Sequence, residues 1–198
     1  MPPVPRLILA SVSASRKALL AGAGVKFEAL PPGLDEAALK SGFSGSPQAL
    51  AAALALAKAQ AVSVRHPGAL VIGGDQLLVC GGRIYDKPRD LAQAAAHLHA
   101  LSGRTHELVT AVCLVQGGAV PWSHVESAHL TMRSFSDDFL AGYLAAEGAE
   151  ILHCVGAYRL EGRGAQLFTH IEGDYFTVLG LPLLALLGAL RARGVLAT

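Results

Sequence analysis

The sequence predicts an α/β protein in which helices flank a twisted mixed β-sheet. Uninterrupted apolar runs such as residues 69–72 are typical of strands that are buried on both faces of a sheet. Segments rich in Ala and Leu alternate with these runs over the first half of the chain, and a β-rich section follows. The 198 residues suit a single domain spanning 1–198, with two small lobes around a cleft as the alternative arrangement.

Short apolar segments bounded by turn residues are predicted as strands. Gly81 and Gly82 separate two of them and indicate a two-residue hairpin, and Gly117 and Gly118 connect two longer ones. A glycine-punctuated stretch at 156–174 also has β character. In chain order the predicted strands lie at residues 7–10, 25–30, 69–72, 77–80, 83–85, 106–115 and 120–132.

Helices are predicted where an Ala- and Leu-rich segment follows a capping residue. Ser46 is a suitable cap with proline at the next position, and Ser136 precedes two acids where the helix dipole favours them. Gly22 and Gly24 end the first helix, and a polar loop is predicted between the second strand and Ser46. The predicted helices lie at residues 16–22, 47–65, 90–101, from 137 onward, and 181–193.

Composition and charge exclude several classes of protein. Apolar residues make up 52% of the chain and charged residues 16%, whereas a disordered chain has few apolar and many charged residues. A net charge of +1 gives no field that would gather nucleic acid, so we expect no stable nucleic-acid binding. No apolar stretch is long enough for a signal peptide or a membrane span. Dispersed cysteines suit a reducing compartment, so we expect a soluble cytoplasmic protein.

The serine-rich segment SVSASRK at residues 11–17 is the first candidate ligand site. It lies between a predicted strand and a predicted helix, and helix N-termini bind anions through their free N–H groups. Hydroxyls and two cations in the same segment would strengthen a phosphate site. The alternative is a serine cap followed by a solvated Arg16–Lys17 pair.

Asp75, in the segment GGDQ, is the second candidate. We expect it just past the carboxyl end of a buried strand, where open α/β sheets place their ligands. The two preceding glycines would let a substrate approach the backbone. The alternative is a tight turn with a solvated carboxylate, but an apolar strand resumes at Leu77. Asp75 is therefore predicted to be held between two strands.

Further acids and cations lie at predicted strand ends. Lys87 beside Pro88 is placed to reach a phosphate, and the alternative is an ordinary junction between a loop and a helix.

The histidine spacing gives no metal site, and P-loop, dinucleotide and serine-hydrolase motifs are absent from the sequence. Carboxylates with phosphates are the usual ligands of Mg²⁺, so the residues indicate a metal-dependent enzyme acting on a phosphorylated small molecule. The candidate acids are Asp35, Glu36, Asp75, Glu172 and Asp174, and the candidate cations are Arg16, Lys58 and Lys87.

Five segments follow one another along the chain: LILASVSASRKALLAGAGVKFEALPPGLDE, LALAKAQAV, GGDQLLVCGGRIYDKPRD, LSGRTHELVTAV and VGAYRLEGRGAQLFTHIEGDYFTVLGLPL. Taken in order, they resemble the Maf family of septum-formation-inhibitor-like nucleotide pyrophosphatases. The resemblance covers nearly the whole chain, and five motifs in the right order are far more specific than any one of them.

The resemblance implies the fold of Maf and inosine triphosphatase proteins and hydrolysis of a nucleoside triphosphate to monophosphate and pyrophosphate. By that analogy Asp75 is the general base that activates water, and Glu36 with Asp75 places a divalent cation, Mg²⁺ or Mn²⁺. The predicted phosphate contacts are Ser13, Arg16, Lys58 and Lys87. A homodimer is an expected assembly. The family is also associated with clearing modified nucleotides and with arrest of cell division.

Three positions that match Ser15, Gln76 and Glu161 differ between subgroups of the family. Pyrimidine-preferring members carry Arg, Thr and Gln there, whereas Gln76 and Glu161 resemble the subgroup of 7-methyl-GTP pyrophosphatases. A carboxylate can accept two hydrogen bonds from the guanine edge, while thymine or uracil offers one donor. We therefore expect a general nucleoside triphosphate pyrophosphatase, with a 7-methyl-GTP-type purine-selective enzyme as the alternative.

A hypothesis of another class is a non-catalytic nucleotide-binding regulator of septum formation. The presence of Asp75 and Lys87 argues against it, because a protein that only binds nucleotide needs no general base.

Overall fold

The computed structural model describes residues 5–197, so the two ends of the predicted domain, 1–4 and 198, lie outside the described residues. Strands and helices alternate, with short 3₁₀ segments at Gly148–His153, Val155–Ala157 and Arg163–Leu167. The strands are β1 (Leu7–Leu9), β2 (Glu28–Ala29), β3 (Leu70–Cys80), β4 (Arg83–Tyr85), β5 (Thr105–Gln116), β6 (Ala119–Met132) and β7 (Phe168–Glu172). The helices are α1 (Ala14–Gly22), α2 (Glu36–Ser41), α3 (Pro47–Ser63), α4 (Leu91–Leu101), α5 (Asp137–Glu147), α6 (Tyr175–Val178) and α7 (Leu183–Arg191).

The seven described strands form one mixed sheet in the order β2-β1-β3-β5-β6-β7, with β4 paired to β3. Strand β1 runs parallel to both β2 and β3, whereas the β3–β4 and β6–β7 pairs are antiparallel. The predicted α/β class with a mixed sheet and flanking helices is confirmed.

The chain divides into two compact units. Unit one contains the residues up to 76, together with 110–126 and 175 onward, and unit two contains 77–109 and 127–174. The core of unit one packs β1, β3 and β5 against α1 and α7, through residues that include Leu9, Leu20, Ile72, Leu114 and Leu186. The core of unit two includes the fully buried side chains of Leu78, Leu98, Leu130, Ile151 and Leu167.

Capping residues begin the helices where the sequence predicts them. Ser46 accepts a hydrogen bond from the backbone N–H of Ala49 at 3.2 Å, and Pro47 is the first helical residue of α3. Asp90 and Ser136 cap α4 and α5 in the same way. Among residues 5–197, no helix combines the length and the apolar character that a membrane crossing requires.

The central strand differs from the prediction. Residues 73–76 were expected as a junction between two strands, but β3 runs unbroken from Leu70 to Cys80. Glycine is compatible with extended backbone, and a glycine pair alone does not separate a turn from a strand. Asp75 is therefore an interior residue of a strand rather than a residue past its end.

Three smaller differences concern segments governed by local hydrogen bonds. The second strand is only Glu28–Ala29, and the backbone N–H of Val25 instead donates to the Leu20 carbonyl near the end of α1. The predicted loop before Ser46 contains α2, which Asp35 caps by accepting from two backbone N–H groups. In the segment predicted as β-like, Gly156 and Ala157 have positive φ angles, Arg163–Leu167 is a 3₁₀ segment, and only β7 is an extended strand.

Candidate active site

A close contact between α3 and β3 positions the first pair of candidate residues. A side chain at Gly73 would place its Cβ 2.1 Å from the carbonyl oxygen of Ala55 and 2.8 Å from the Cβ of Ala59. The helix therefore lies directly against the strand at this glycine. Lys58, on the same helical turn, is brought against Asp75 two residues further along β3.

Lys58 links two carboxylates. Its Nζ lies 2.5 Å from Asp75 Oδ1 and 2.9 Å from Glu36 Oε1, where Glu36 is the first residue of α2. The Lys58 and Asp75 side chains are only 8% and 6% exposed, whereas Glu36 is 40% exposed. Among residues 5–197, nothing donates a hydrogen bond to the buried Oδ2 atom of Asp75. Asp75 thus has one oxygen neutralised by Lys58 and one oxygen with its acceptor capacity unused.

Arg16 adds a second buried cation to this cluster. Its Nε donates to the Gly180 carbonyl at 2.8 Å, and its Nη1 donates to Ser11 Oγ at 3.5 Å. Burial lowers the pKa of the Arg16 guanidinium, and the nearby carboxylates of Asp75 and Glu36 act in the opposite direction. An arginine stays protonated in proteins, so the cluster holds two positive charges beside two carboxylates.

The serine segment forms the entry to α1. Ser13 is the N-cap: its Oγ accepts from the backbone N–H of Arg16 at 3.4 Å and lies 3.0 Å from Ser15 Oγ. The buried Ser11 Oγ accepts from the Ser13 N–H at 3.1 Å. The serine cap of the alternative interpretation is present, but Arg16 is buried rather than solvated.

Gln76 follows Asp75 in β3 and is held by polar groups of unit one. Its Nε2 donates to Thr110 Oγ1 at 2.9 Å and to the backbone carbonyls of Thr177 at 2.9 Å and Val178 at 3.2 Å. Backbone carbonyls only accept hydrogen bonds, so these contacts fix which end of the carboxamide is the nitrogen. The oxygen of Gln76 is the end directed away from these acceptors.

Sequence reasoning missed three of the residues that support this cluster: Thr110, Thr177 and Gly180. Thr110 had a visible signal, because it is a lone hydroxyl within the apolar run at 108–115 and is fully buried. Gly180 had no such signal, because the Arg16 side chain that its carbonyl binds is 164 positions away in the sequence.

Lys87 and Glu161, the other predicted site residues, belong to unit two. Both charges act on the pKa of the Cys154 thiol. Burial is the main cause that raises the pKa of that thiol; Glu161 raises it further, and Lys87 lowers it. Glu161 is an exposed residue of a turn.

Two motif residues of unit two have a structural role. His106 of the SGRTH segment and Tyr158 of the GAY segment are buried, with His106 Nε2 2.7 Å from the Tyr158 hydroxyl. Burial lowers the pKa of His106 to about 4 and raises the pKa of Tyr158. Phe168 packs against both rings.

The chemistry of Glu36 and Asp75 suits a divalent cation that shares its coordination with a ligand. No group of three or more His, Cys, Asp or Glu side chains within residues 5–197 is arranged to hold a metal. Two carboxylates are nevertheless what Mg²⁺ takes from a protein when phosphate oxygens and water complete its octahedron. The unused Oδ2 atom of Asp75 is consistent with such a ligand.

Comparisons with known proteins agree on one family. The model of the Maf family, described as "Maf-like protein", matches residues 6–193. A protein of Rhizobium etli named 7-methyl-GTP pyrophosphatase is 52% identical over 195 residues, covering 97% of this chain and 98% of the relative. A protein of Granulibacter bethesdensis named nucleoside triphosphate pyrophosphatase is 50% identical over 194 residues, covering 96% and 98%.

A solved structure from Mycobacterium abscessus, titled as a nucleoside-triphosphatase or dITP/XTP pyrophosphatase, aligns with a TM-score of 0.43 at 16% identity. It covers 96% of this chain and 95% of its own. That similarity is too low to support a statement about the site. The family match and the two relatives, by contrast, extend over almost the full length at half identity. This chain belongs to the Maf family.

Proposed function

We propose that this chain hydrolyses nucleoside triphosphates to the nucleoside monophosphate and pyrophosphate. The observation that carries the proposal is the buried Asp75 carboxylate, with one oxygen paired to Lys58 and the other unused, beside the second cation Arg16. The names of the relatives at about half identity support the same activity.

In the proposed reaction, Asp75 Oδ2 orients a water molecule and accepts its proton. The water oxygen forms a bond to the α-phosphorus, the bond from that phosphorus to the α,β-bridging oxygen breaks, and pyrophosphate leaves. Lys58, Arg16 and Ser13 bind phosphate oxygens and hold the chain of phosphates in line for this displacement. A divalent cation bound by Glu36 and Asp75 would supply positive charge to the phosphoryl oxygens.

Lys87 as a further phosphate contact, and Ser15 and Glu161 as determinants of base preference, stay predictions from the resemblance. Homodimer formation, a cytoplasmic location, the absence of stable nucleic-acid binding and a role in division arrest also stay predictions from the sequence. The roles of Asp75, Lys58, Arg16, Glu36, Ser13 and Gln76 are proposals as well, and their contacts in unit one support them.

A 7-methyl-GTP preference is the second candidate, because relatives from Rhizobium etli and Rhizobium meliloti, 52% and 51% identical, carry that name. Gln76 is consistent with a polar base contact, since its carboxamide oxygen is the end not held by Thr110 and the Thr177 and Val178 carbonyls. Purine selectivity would then be a property of the same site rather than a separate function.

A nucleotide panel tests both proposals. GTP, 7-methyl-GTP, ATP, CTP, UTP and TTP are each incubated with Mg²⁺, with Mn²⁺ or with a chelator, and early products are separated by anion exchange. We expect equal amounts of monophosphate and pyrophosphate, and ¹⁸O from labelled water in the monophosphate. Diphosphate with free phosphate would contradict the proposed bond. Tight nucleotide binding without turnover on any substrate would favour the non-catalytic regulator.

A further inference from the structure

We infer that Lys58 closes the pair of carboxylates, Glu36 and Asp75, when no nucleotide is bound, so that a divalent cation binds tightly only together with a triphosphate. This inference rests on the proposed function of the same site. It concerns the order of binding, which the chemistry of the cluster determines before any hydrolysis takes place.

The geometry places one ammonium between two carboxylates. Lys58 Nζ contacts Asp75 Oδ1 at 2.5 Å and Glu36 Oε1 at 2.9 Å, so one oxygen of each acid is taken by the same cation. An ammonium has three donors, and two of them are used here. A cation held by both acids would therefore share these carboxylates with the ammonium, although Asp75 Oδ2 itself is unused.

Burial makes this arrangement strong. Lys58 and Asp75 are less than a tenth exposed, and α3 cannot move away from β3 without losing the close packing at Gly73. Charges in such a place interact much more strongly than charges in water, and removing the partner of a buried charge is unfavourable. Asp75 therefore keeps its lysine until another group provides equivalent positive charge.

Without nucleotide, a divalent cation would compete with Lys58 for the two carboxylates. A cation held by Glu36 and Asp75 would share both carboxylates with Lys58 Nζ, which contacts each of them. Arg16, whose pKa responds to both carboxylates, adds a second positive charge nearby. Repulsion by two cations opposes metal binding as long as Lys58 has no other anion to pair with.

A triphosphate removes that conflict. Its oxygens offer Lys58 a new partner, and the four-carbon stem of lysine lets the ammonium shift towards it. The two carboxylates are then free to hold the metal. Binding of each ligand strengthens binding of the other, and this coupling is equal in both directions.

The test measures Mn²⁺ binding without nucleotide, by calorimetry and by electron paramagnetic resonance of free Mn²⁺. Lys58→Met removes the competing charge, and we expect it to bind Mn²⁺ about tenfold or more tightly than the wild type. Lys58→Arg keeps the charge and should bind Mn²⁺ as weakly as the wild type. Lys26→Met, at an exposed lysine of the same unit, changes the net charge equally and should have no effect. Equal affinities for Lys58→Met and Lys26→Met would overturn the inference.

A second readout uses the wild-type protein, in case Lys58→Met does not fold. The side-chain ¹³Cε resonance of Lys58 is assigned by its loss in Lys58→Arg. We expect Mg²⁺ alone to leave this resonance in place and Mg²⁺ with α,β-methylene-GTP to move it. A shift with Mg²⁺ alone, equal to that with the analogue, would show that the metal displaces the lysine unaided and would refute the inference.

Neither readout requires turnover. If Lys58→Met binds Mn²⁺ more tightly but the wild type hydrolyses no nucleotide, the competition between Lys58 and the metal stands and the proposed function is rejected. Hydrolysis by the wild type, with no change of Mn²⁺ affinity in Lys58→Met, would reject the competition and preserve the function.

Discussion

The carboxamide nitrogen of Gln76 donates a hydrogen bond to the buried hydroxyl of Thr110 at 2.9 Å, and that hydroxyl donates in turn to the Thr177 carbonyl at 3.1 Å. This relay joins the residue after Asp75 to the segment that precedes Gly180, whose carbonyl accepts from Arg16. The positions of Gln76 and Arg16 therefore depend on the same short segment.

Thr110→Val tests this relay. Valine has almost the same shape but neither accepts from Gln76 nor donates to Thr177, so a partly buried amide and a backbone carbonyl each lose a partner. We expect the free energy of unfolding to fall by about 1–3 kcal/mol and KM for nucleotide to rise. Denaturant titration and steady-state kinetics measure the two effects. Thr105→Val, which breaks an exposed hydroxyl pair with Thr131, is the control and should be nearly neutral.

Asp75→Asn removes the proposed general base while keeping its shape. We expect turnover to fall by about 10²–10⁴-fold, because asparagine cannot accept the proton from water. The melting temperature shows whether the variant stays folded with Lys58 paired to Glu36 alone. Asp138→Asn, at an exposed acid in the first turn of α5, should keep full activity. Near-wild-type turnover of Asp75→Asn would reject the assignment.

Gly73→Ala tests the packing that places Lys58 against Asp75. Its Cβ would meet the Ala55 carbonyl at 2.1 Å, so α3 must move away from β3. We expect a loss of about 3 kcal/mol in stability and a clear loss of activity, measured by denaturant titration and pyrophosphate release. Gly142→Ala, in an open helical position of α5, should instead gain about 0.5–1 kcal/mol. A neutral Gly73→Ala variant would mean that α3 does not lie against this glycine.

Acid should destabilise the protein through His106. Its pKa is about 4 in the folded state against 6.5 ordinarily, so between these values the unfolded chain binds the extra proton. Stability is full above pH 6.5 and decreases as the pH falls toward 4, by on the order of 3 kcal/mol. Burial also lowers the pKa of His97, which adds to the slope in the same direction.

His106→Gln isolates this contribution, since glutamine can reach the Tyr158 hydroxyl but does not titrate. Unfolding curves measured from pH 4 to pH 7 should have a smaller pH dependence in this variant. The exposed His170→Gln variant should keep the wild-type dependence. An unchanged pH dependence in His106→Gln would show that another group causes the acid sensitivity.

Glu161→Gln tests base selectivity. If the carboxylate accepts hydrogen bonds from guanine, the amide places a donor against a donor, and kcat/KM for GTP should fall by roughly one to two decades. UTP and TTP should lose less. Glu150→Gln is the matched control, because Glu150 is also an exposed acid of unit two acting on Arg159. Equal losses on all bases, or no loss, would indicate that Glu161 is only a surface turn residue.

Much of the secondary structure followed from local signals. Ser46, Asp90 and Ser136 begin their helices as predicted, because a capping side chain and the N–H groups that it binds are within three residues. The unbroken β3 was missed because paired glycines are typical of turns and also of close helix–strand contacts. Only the neighbouring α3 distinguishes the two cases.

The sequence by itself determined the mixed α/β class, most element positions and membership of the Maf family, because periodicity, caps and ordered motifs are properties of short segments. The tertiary structure alone decided that Lys58 bridges Glu36 and Asp75, and that Gly180 holds Arg16 across 164 positions. Such contacts join residues that are distant in the chain. They depend on how closely helix and strand pack, which is set by the absence of a side chain at Gly73 and by the whole core around it.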